Sequence, residues 1–420
     1  MTDTGQDAGT QDEEVSTGGG LLEGVRVLEL GNFIAAPFAT RLLADFGAEV
    51  IKIEAPNTGD ELRNWRRQRG EVSMMFRTLA RNKRSVTVDL RTDEGQDLAR
   101  GLVAESDVVI ENFRPGTLER WHLGENDLKA VNDEIIVVRI SGYGQTGPYR
   151  DRAGFGGVAE AFAGLRHVTG HADRPAVRPA APIGDAMAGL YGALGAVIQL
   201  FARERGHRTE QTRVVDVALY EAVYSAMESL IPDYDAYGMV RQRSGANLPG
   251  VVPSGSYPTA DGQSVMIAGN AAKPFRQLMR LCGRADLAED PELADGSARS
   301  RREDELDEIV RTWTLERTVV EAVDELAAAG VPAGPVYDAS GIAADEHFAA
   351  RGMLESIDVA VEGDETEPIR FPGVVPRIPG AEGRIRWVGP RLGEHTDAVL
   401  TDVLGLDAKT RTDLADRGVV

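Results

Sequence analysis

The stretch VRVLELGNFIAAPFATRLLADFGAEVIKIEAP, residues 25–56, decides the fold class of this 420-residue chain. VRVLEL (25–30) and EVIKIE (49–54) are apolar runs of strand length, and PFATRLLADFG (37–47) between them is helical and ends at a glycine. A strand, a helix and a second strand in this order predict two parallel strands joined by a crossover.

The same alternation continues along the chain. Further strands are predicted at 85–90, 107–112, 134–141 and 212–219. A helix is predicted at 92–106, and a long apolar helix at 186–202. The chain is therefore predicted to be an α/β protein with a parallel sheet. The apolar helix falls short of the ~20 residues that span a bilayer, so we expect it to be buried and the protein to have no membrane partner.

The pattern changes after about Pro249. SGSYPTADGQSVMIAGN (254–270) predicts a hairpin around Asp261-Gly262, and helices are predicted at 273–283 and 302–329. The predicted organisation is a disordered acidic tail (1–20), the first part of a large domain (21–225), a linker (226–249), a smaller α+β domain (250–345), and a return linker with the last part of the large domain (346–420). The tail lacks the features of a signal peptide, which predicts a cytoplasmic protein.

The charge balance is strongly acidic. Asp and Glu number 67 against 46 Lys and Arg, which gives a net charge of −21. This charge opposes partners such as nucleic acid. A GC-rich genome explains the scarcity of lysine but not the acidic excess, which favours a cytosol with molar salt. The single cysteine, Cys282, excludes a disulfide framework, and six scattered histidines make a bound metal unexpected.

Three places could carry chemistry. The turn at 31–36 follows the first strand but lacks the glycines of a dinucleotide fingerprint, so Glu54 is not expected to bind a nicotinamide ribose. Basic islands at 77–86 and 112–121 are either solvated arginines or a site for a polyanionic nucleotide such as coenzyme A. Asp185 begins the long apolar helix, where a carboxylate is either a cap or an ionised nucleophile.

Seven segments resemble the class III coenzyme A-transferases, the family of formyl-CoA transferase and carnitine CoA-transferase that also includes the α-methylacyl-CoA racemases. They run in order from about 25 to 400: VRVLEL…AAPFATRLLADFGAEVIKIE, RNKRSVTVDLRTDEG, DVVIENFRPGTLER, SGYGQTGPYRDRAGF, GDAMAGLYGALGAVIQLFAR, TRVVDVAL and RLGEHTDAVL. The resemblance implies a Rossmann-like large domain from both chain ends, a small domain between them, and a homodimer of interlocked rings.

The resemblance also implies roles for single residues. It places the nucleophile on Asp185. The implied contacts to coenzyme A are Ile34, Ala35, Asn82, Lys83, Asn112, Phe113, Arg114, Arg120, Gly142 and Tyr143. Ala55 and Ile34 stand where formyl-CoA transferase has arginine and glutamine, so formyl and oxalate chemistry is not expected to carry over.

Phe155 favours a transferase over a racemase. In the racemase branch a histidine stands at this point of the A-G motif, whereas phenylalanine cannot move a proton. A catalytically silent acyl-CoA-binding relative is a further alternative, which the presence of Asp185 disfavours. Coenzyme A thioesters are expected as substrates, with no permanently bound cofactor.

The acids that exchange coenzyme A are implied only by overall resemblance. It points to succinyl-CoA as donor and a short dicarboxylic acid as acceptor, with mesaconate as first candidate. Mesaconate fits a saline origin, because acetate assimilation in halophilic archaea uses such a step. Residues that could bind a second carboxylate or an oxyanion, or simply lie in solvated loops, are His167, His171, Arg174, Arg178, Gly269 and Asn270.

Overall fold

The computed structural model describes residues 20–69, 72–207, 213–248, 250–362 and 365–420, so all of the predicted tail but Gly20 lies outside the described residues. The chain forms two compact units. One unit comprises Met1–Gly154, Asp185–Ala222 and Glu355–Val420; the other comprises Phe155–Gly184 and Val223–Leu354. Among the described residues, the first unit thus contains the segments nearest to both chain ends. The boundaries differ from the predicted ones, because 155–184, the predicted linker 226–249 and 346–354 pack with the second unit.

The described strands follow the predicted positions closely in the first half of the chain. They are β1 Arg26–Glu29, β2 Glu49–Glu54, β3 Gln68–Arg69, β4 Val72–Ser73, β5 Lys83–Thr87, β6 Val108–Glu111, β7 Ile136–Ser141, β8 Val214–Ala218, β9 Ser254–Pro258, β10 Ser264–Ala268, β11 Ala333–Pro335, β12 Leu354–Glu362 and β13 Glu365–Pro372.

The described helices are mostly short, apart from one of 22 residues. They are α1 Ala35–Asp45, α2 Met74–Leu79, α3 Asp93–Ala104, α4 Thr117–Arg120, α5 Glu125–Val131, α6 Gly156–Phe162, α7 Ile183–Glu204, α8 Leu219–Tyr224, α9 Leu230–Tyr237, α10 Ala272–Leu281, α11 Ala285–Ala288, α12 Gly296–Ser300, α13 Glu303–Thr314, α14 Val319–Ala328, α15 Ala339–Ala344, α16 Glu346–Ala350, α17 Thr396–Asp402 and α18 Ala408–Asp416.

A six-stranded sheet forms the centre of the first unit. Its strand order is β5-β2-β1-β6-β7-β8, and every neighbouring pair is parallel. β1, β2, β6 and β7 are buried over almost their whole length, as strands covered on both faces are. The prediction of an α/β protein with a parallel sheet is confirmed.

The C-terminal segment covers the edge of this sheet at β5. The Ser85 N–H donates to His395 Nδ1 at 3.3 Å, and the His395 N–H donates to the Ser85 carbonyl oxygen at 2.9 Å. The Thr87 N–H donates to Thr396 Oγ1 at 3.0 Å. An uncovered edge strand would leave such groups without a protein partner. The sequence RLGEHTDAVL therefore closes the sheet at this side.

The apolar composition of α7 predicted a buried helix. The structure shows that only one face of this helix is buried. Gly192 and Gly195 face the central sheet. A Cβ atom at Gly192 would lie 3.0 Å from the Ile140 side chain of β7, and one at Gly195 would lie 2.5 Å from the Val215 side chain of β8. The opposite face carries large apolar side chains that are exposed: Leu190, Leu194, Val197, Ile198 and Phe201. Small residues give the close approach to the sheet, and the described chain leaves the large residues uncovered.

By length and composition, α7 could also cross a membrane. It has 22 residues, and 33% of its most apolar window is buried. A helix that packs within a protein passes the same test, so this property by itself does not identify a membrane span.

The second unit contains the antiparallel sheet β11-β10-β9. The predicted hairpin is present as β9 and β10. The hydrophobic core of this unit includes Val265 and Ile267 of β10 and Leu278 of α10. The single helix predicted at 302–329 is instead two helices, α13 and α14. The reason is a capping box, in which the Thr318 hydroxyl accepts from the Glu321 N–H and the Glu321 carboxylate accepts from the Thr318 N–H.

Candidate active site

Most of the predicted contacts to coenzyme A follow three strands of the first unit. The turn 31–36 follows β1, residues 112–114 follow β6, and residues 142–143 follow β7. The strand order reverses between β1 and β6. Open parallel sheets bind ligands outside the carboxyl ends of their strands at such a reversal. This edge of the sheet is therefore the candidate active site.

The turn after β1 is held by side chains from neighbouring segments. The Asn32 N–H donates to Asn112 Oδ1 at 2.9 Å, and Asn112 Nδ2 donates to the Asn32 carbonyl oxygen at 2.8 Å. A Cβ atom at Gly31 would lie 2.7 Å from Asn112 Oδ1, so only glycine fits there. Ile34 and Ala35 are buried at the start of α1. The amide of Asn112 is thus engaged with the turn.

The segment after β6 presents two exposed cations. Arg114 and Arg120 are exposed, and Arg120 Nη2 donates to Thr117 Oγ1 at 2.9 Å. The half-buried Phe113 ring packs edge-on against Trp121, with ring centroids 5.1 Å apart. Exposed guanidinium groups at the carboxyl edge suit the phosphates of a nucleotide.

Glu111, the last residue of β6, fixes the start of this segment. Its Oε2 accepts the Phe113 N–H at 2.7 Å, and its Oε1 accepts from Arg139 Nε at 2.8 Å. Burial raises the pKa of Glu111 to about 7, because it outweighs the opposing effect of the Arg139 charge. The carboxyl group therefore shapes the loop from inside the sheet.

The segment after β7 packs tightly against its own continuation. A Cβ atom at Gly142 would lie 2.6 Å from the Gly154 Cα atom, so the two backbones can touch only as glycines. The half-buried Tyr143 ring lies 6.0 Å from the Tyr149 ring and 6.1 Å from the Tyr220 ring, measured between centroids. Tyr143 thus stands within an aromatic cluster at the carboxyl edge.

Helix α7 brings Asp185 to the same edge. A Cβ atom at Gly189 would lie 2.6 Å from the Ala35 carbonyl oxygen, so α7 rests on the first turn of α1. Asp185 is four residues earlier, in the first turn of α7, and residues four apart share one face of a helix. The half-buried Asp185 therefore lies one helical turn from Gly189, the residue that contacts Ala35.

Asn82 and Lys83 are not at this edge. They stand at the amino end of β5, because the strand begins at Lys83 and not at Ser85 as predicted. Asn82 Nδ2 donates to Asp45 Oδ1 at 3.0 Å, and Lys83 Nζ donates to Glu29 Oε2 at 2.7 Å. Both side chains are buried and engaged within the protein. The arrangement gives no support to their predicted contact with coenzyme A.

A buried ion cluster formed by Glu29, Lys52, Asp60 and Lys83 escaped the sequence reasoning. Glu29 Oε1 lies 2.7 Å from Lys52 Nζ, which also lies 2.9 Å from Asp60 Oδ2. Burial alone would raise the pKa of Glu29, but the charges of Lys52 and Lys83 together lower it to about 2. Burial lowers the pKa of Lys83 to about 8, although Glu29 opposes this shift.

The sequence does carry a signal for this cluster. VRVLEL places Glu29 between two leucines, and EVIKIE places Lys52 between two isoleucines, within strands that are predicted to be buried. Opposite charges on adjacent buried strands are expected to pair, because an unpaired buried charge is costly. Glu54, considered above as a ribose ligand, is likewise buried and accepts two hydrogen bonds from Arg63, each at 2.7 Å.

The residues considered for acid binding belong to the second unit. His167, His171, Arg174 and Arg178 are exposed. Arg243 holds their segment by donating to the carbonyl oxygens of His167 and His171 at 2.9 and 3.2 Å.

Gly269 and Asn270 are held in a different way. The Gly269 N–H donates to the Pro253 carbonyl oxygen at 2.9 Å, and the buried Arg299 donates to the Asn270 carbonyl oxygen. Their assignment as substrate residues stays a prediction. Among the described residues, no three His, Cys, Asp or Glu side chains group as a metal site.

Comparison with known proteins identifies the family. Residues 22–396 match the sequence profile of CoA-transferase family III. The chain is 47% identical over 395 residues to the succinyl-CoA–D-citramalate CoA-transferase of Chloroflexus aurantiacus, covering 94% of this chain and 96% of the relative. It is 39% identical to the beta subunit of that organism's succinyl-CoA–L-malate CoA-transferase, covering 95% of this chain and 98% of the relative.

A solved structure agrees with this result. A CaiB/BaiF family protein from Brucella suis superposes with a TM-score of 0.80 at 32% identity, covering 92% of this chain and all of that protein. The chain belongs to CoA-transferase family III and is a CoA-transferase.

Proposed function

We propose that this enzyme transfers coenzyme A from succinyl-CoA to a short dicarboxylic acid, through covalent intermediates on Asp185. The observation that carries the proposal is the position of Asp185. It stands in the first turn of α7, four residues before the contact of Gly189 with the Ala35 carbonyl oxygen at the carboxyl edge of the sheet. The partial positive charge of a helix N-terminus favours an ionised carboxylate there.

The chemistry proceeds in balanced exchanges at one carboxyl group. The Asp185 carboxylate attacks the succinyl thioester carbonyl, which gives an aspartyl-succinyl anhydride and releases the coenzyme A thiolate. The thiolate attacks the aspartyl carbonyl, which gives an aspartyl-CoA thioester and releases succinate. The acceptor carboxylate attacks this thioester, and the thiolate released attacks the acceptor's acyl carbon. Asp185 is thereby restored as a carboxylate.

The protein's contribution is to hold the reacting groups together. Well-oriented reactions of this kind reach effective molarities of about 10⁵–10⁸ M, which dilute acids in solution lack. The exposed Arg114 and Arg120 supply positive charge for the phosphates in a chain of net charge −21. Backbone N–H groups near the start of α7 are candidates for stabilising the oxyanions.

Replacement of the nucleophile tests this proposal. Asp185→Asn keeps the size of the side chain and one acceptor oxygen but removes the nucleophilic carboxylate. We expect the variant to fold, to bind coenzyme A, and to lose at least about 10³-fold in turnover. Asp93→Asn is the matched control, because Asp93 is an exposed first-turn carboxylate of α3. It should retain wild-type turnover.

Chemical trapping tests the intermediate directly. Wild-type enzyme incubated with succinyl-CoA and then hydroxylamine should carry a hydroxamate on Asp185, located by peptide mass spectrometry. The Asp185→Asn variant should carry none. If the variant keeps more than a tenth of wild-type turnover, or if the hydroxamate lies elsewhere, Asp185 is a cap and not the nucleophile.

For the acceptor acid we propose mesaconate. The relative with 47% identity is named for D-citramalate. Mesaconate has the same methylated four-carbon dicarboxylic skeleton and differs from citramalate by one water across a double bond. Another relative, 32% identical, is named for succinate and glutarate. These names support dicarboxylic acids as a class and succinyl-CoA as donor.

A panel of acids separates these acceptors. With succinyl-CoA as donor, kcat/KM should be higher for mesaconate than for D-citramalate, L-malate and glutarate. The pair formyl-CoA and oxalate should be slower than any of them. A tenfold preference for citramalate would overturn mesaconate as acceptor and leave the transferase activity intact.

The racemase alternative makes a different prediction. Phe155 stands exposed before α6, where a racemase would require a proton-transfer group. Product formed in deuterium oxide should therefore carry no enzyme-dependent deuterium at the α-carbon. Rapid exchange there would contradict the transferase mechanism.

We also propose a cytoplasmic homodimer of interlocked chains. The support is the outward face of α7, where Leu190 is 55% and Phe201 64% exposed in the single chain. Soluble proteins seldom leave such a contiguous apolar face in water. A second copy of this chain would cover it.

A further inference from the structure

The buried ion cluster makes three of its other hydrogen bonds to one segment, residues 31–37. Lys52 Nζ donates to the Gly31 carbonyl oxygen at 2.7 Å. Asp60 Oδ1 accepts the Phe33 N–H at 3.0 Å, and Lys83 Nζ donates to the Pro37 carbonyl oxygen at 2.8 Å. Three members thus hold three backbone groups, two in the turn between β1 and α1 and one in the first turn of α1.

Stability alone gives a poor account of this arrangement. All four members of the cluster are at most 1% exposed, and two carboxylates balance two ammonium groups. Burying such groups costs several kcal/mol each, and apolar residues of similar volume often stabilise a fold as well or better. The role of the cluster is therefore sought in the backbone geometry that it imposes on the turn 31–36.

The geometry that it imposes is strained. Phe33 has φ 64°, a left-handed conformation in a residue other than glycine. In residues other than glycine, the Cβ atom makes this conformation sterically unfavourable. Asp60 binds the Phe33 N–H directly, and Lys52 binds the carbonyl group two residues earlier. Charged groups that cannot move without losing their partners are suited to hold a strained turn.

The turn joins the two parts of the candidate active site. It leads into Ile34 and Ala35, the predicted contacts to coenzyme A. Gly189 of α7, which is one helical turn from Asp185, packs against the carbonyl oxygen of Ala35. A shift of the turn would therefore move both the thioester-binding edge and the nucleophile.

We propose that Lys52 and Asp60 are positioning residues, which set the affinity for coenzyme A by holding the turn 31–36 in its binding geometry before the ligand arrives. This inference rests on the proposed function, because it requires that the turn bind coenzyme A. Neither residue touches the reacting atoms. Their effect passes through the backbone of Gly31 and Phe33.

A charge-balanced double variant tests the inference. Lys52→Met with Asp60→Leu removes one charge of each sign together with the two side-chain groups that bond Gly31 and Phe33, and leaves the pair of Glu29 and Lys83 in place. We expect the dissociation constant for coenzyme A, measured by titration calorimetry, to rise at least tenfold. Wild-type protein that fails to bind coenzyme A would instead contradict the proposed function, which separates the two failures.

The matched control removes an ion pair at the amino ends of β1 and β2. Arg26 Nε lies 2.7 Å from Glu49 Oε2, and the two side chains are 28% and 32% exposed. This pair has no bond to the turn, so Arg26→Met with Glu49→Leu should lower the thermal midpoint and leave the affinity for coenzyme A within twofold. If both double variants bind coenzyme A like the wild type, the cluster has only a structural role.

Hydrogen exchange tests the inference even if the double variant does not fold. In the free wild-type protein, the amide of Phe33 should exchange as slowly as the amides of the central strand β1. Saturating coenzyme A should change its rate less than twofold. Fast exchange in the free protein that slows on binding would show that the ligand, and not the cluster, orders the turn, and would overturn the proposal.

Discussion

Because Gly189 has no side chain, α7 can approach the turn 31–36 closely. A Cβ atom there would lie 2.6 Å from the Ala35 carbonyl oxygen. Gly189→Ala should therefore displace the start of α7 and lower the free energy of unfolding by about 1–3 kcal/mol. Because Asp185 moves with the helix, turnover should fall about 10²-fold. Denaturant unfolding and steady-state kinetics measure the two effects.

Gly101 of α3 provides the matched control. A Cβ atom there would meet only the end of the Leu404 side chain, at 3.0 Å. Gly101→Ala should leave turnover within twofold, and alanine in a helix is favoured over glycine by roughly 0.5–1 kcal/mol. Wild-type turnover in Gly189→Ala would show that the contact with Ala35 does not position Asp185.

Single residues differ in how far the sequence determines their surroundings. The position of Asp185 at a helix start was predictable, because helix boundaries leave local signals. The surroundings of Lys83 were not, because they depend on the pairing of β5 with β2 and of β2 with β1. A lysine flanked by arginines suggests a solvated site, whereas strand pairing buries it beside Glu29.

Among the elements, the edge strand β5 has a pH-sensitive cover. His395 Nδ1 accepts the Ser85 N–H and must be unprotonated to do so. Burial lowers the pKa of His395 below its usual value of 6.5, and the charge of Arg84 adds to the shift while Glu394 opposes it. The folded state therefore binds fewer protons. Its stabilisation is complete above pH 6.5 and is lost as the pH falls through the lower pKa of the folded state.

Amide exchange should report this loss. After correction for intrinsic rates, the Ser85 amide should exchange faster at pH 5 than at pH 7.5. His395→Gln should flatten this dependence, because the amide oxygen accepts a hydrogen bond without titrating. His347→Gln is the control, since His347 lies in α16 of the second unit and is exposed. An unchanged pH dependence in His395→Gln would contradict the role of the imidazole.

The two faces of α7 show what composition leaves undetermined. The apolar run predicted the helix, but a core and a subunit interface have the same composition. The spacing of Gly189, Gly192 and Gly195 was the available signal, because it places small residues on one face. Which surface covers the other face depends on the assembly and not on the chain alone.

A charge on the outer face of α7 should block dimer formation. Leu194 is 49% exposed in the single chain, and Leu194→Glu would bury a carboxylate in the proposed interface. Light scattering should give the mass of a dimer for the wild type and of a monomer or an aggregate for the variant. Val320→Glu, at an apolar position 65% exposed on α14, should leave the mass unchanged. A dimeric Leu194→Glu would place the interface elsewhere.

For the whole molecule, the regular alternation of strands and helices was enough to predict the class of fold. Parallel strands need apolar runs on both sides of a crossover, and these runs are visible one after another from β1 to β8. The boundary between the two units was less predictable. Residues 155–184 follow the sheet in sequence but pack with the second unit, which is a property of contacts between distant segments.

The net charge of −21 should make the stability of the whole molecule depend on salt. Repulsion among the excess carboxylates opposes the compact state at low ionic strength, and salt weakens it. The thermal midpoint and turnover should rise from about 0.1 M to molar KCl, over which the Debye length falls from ~10 to ~3 Å. Sucrose stabilises folded proteins without screening charge, so the rise in KCl should exceed that in an equal-osmolality sucrose series. A thermal midpoint that stays flat or falls in KCl would contradict adaptation to a saline cytosol. A GC-rich genome and an acidic surface would then be enough to explain the scarcity of lysine and the excess of acidic residues.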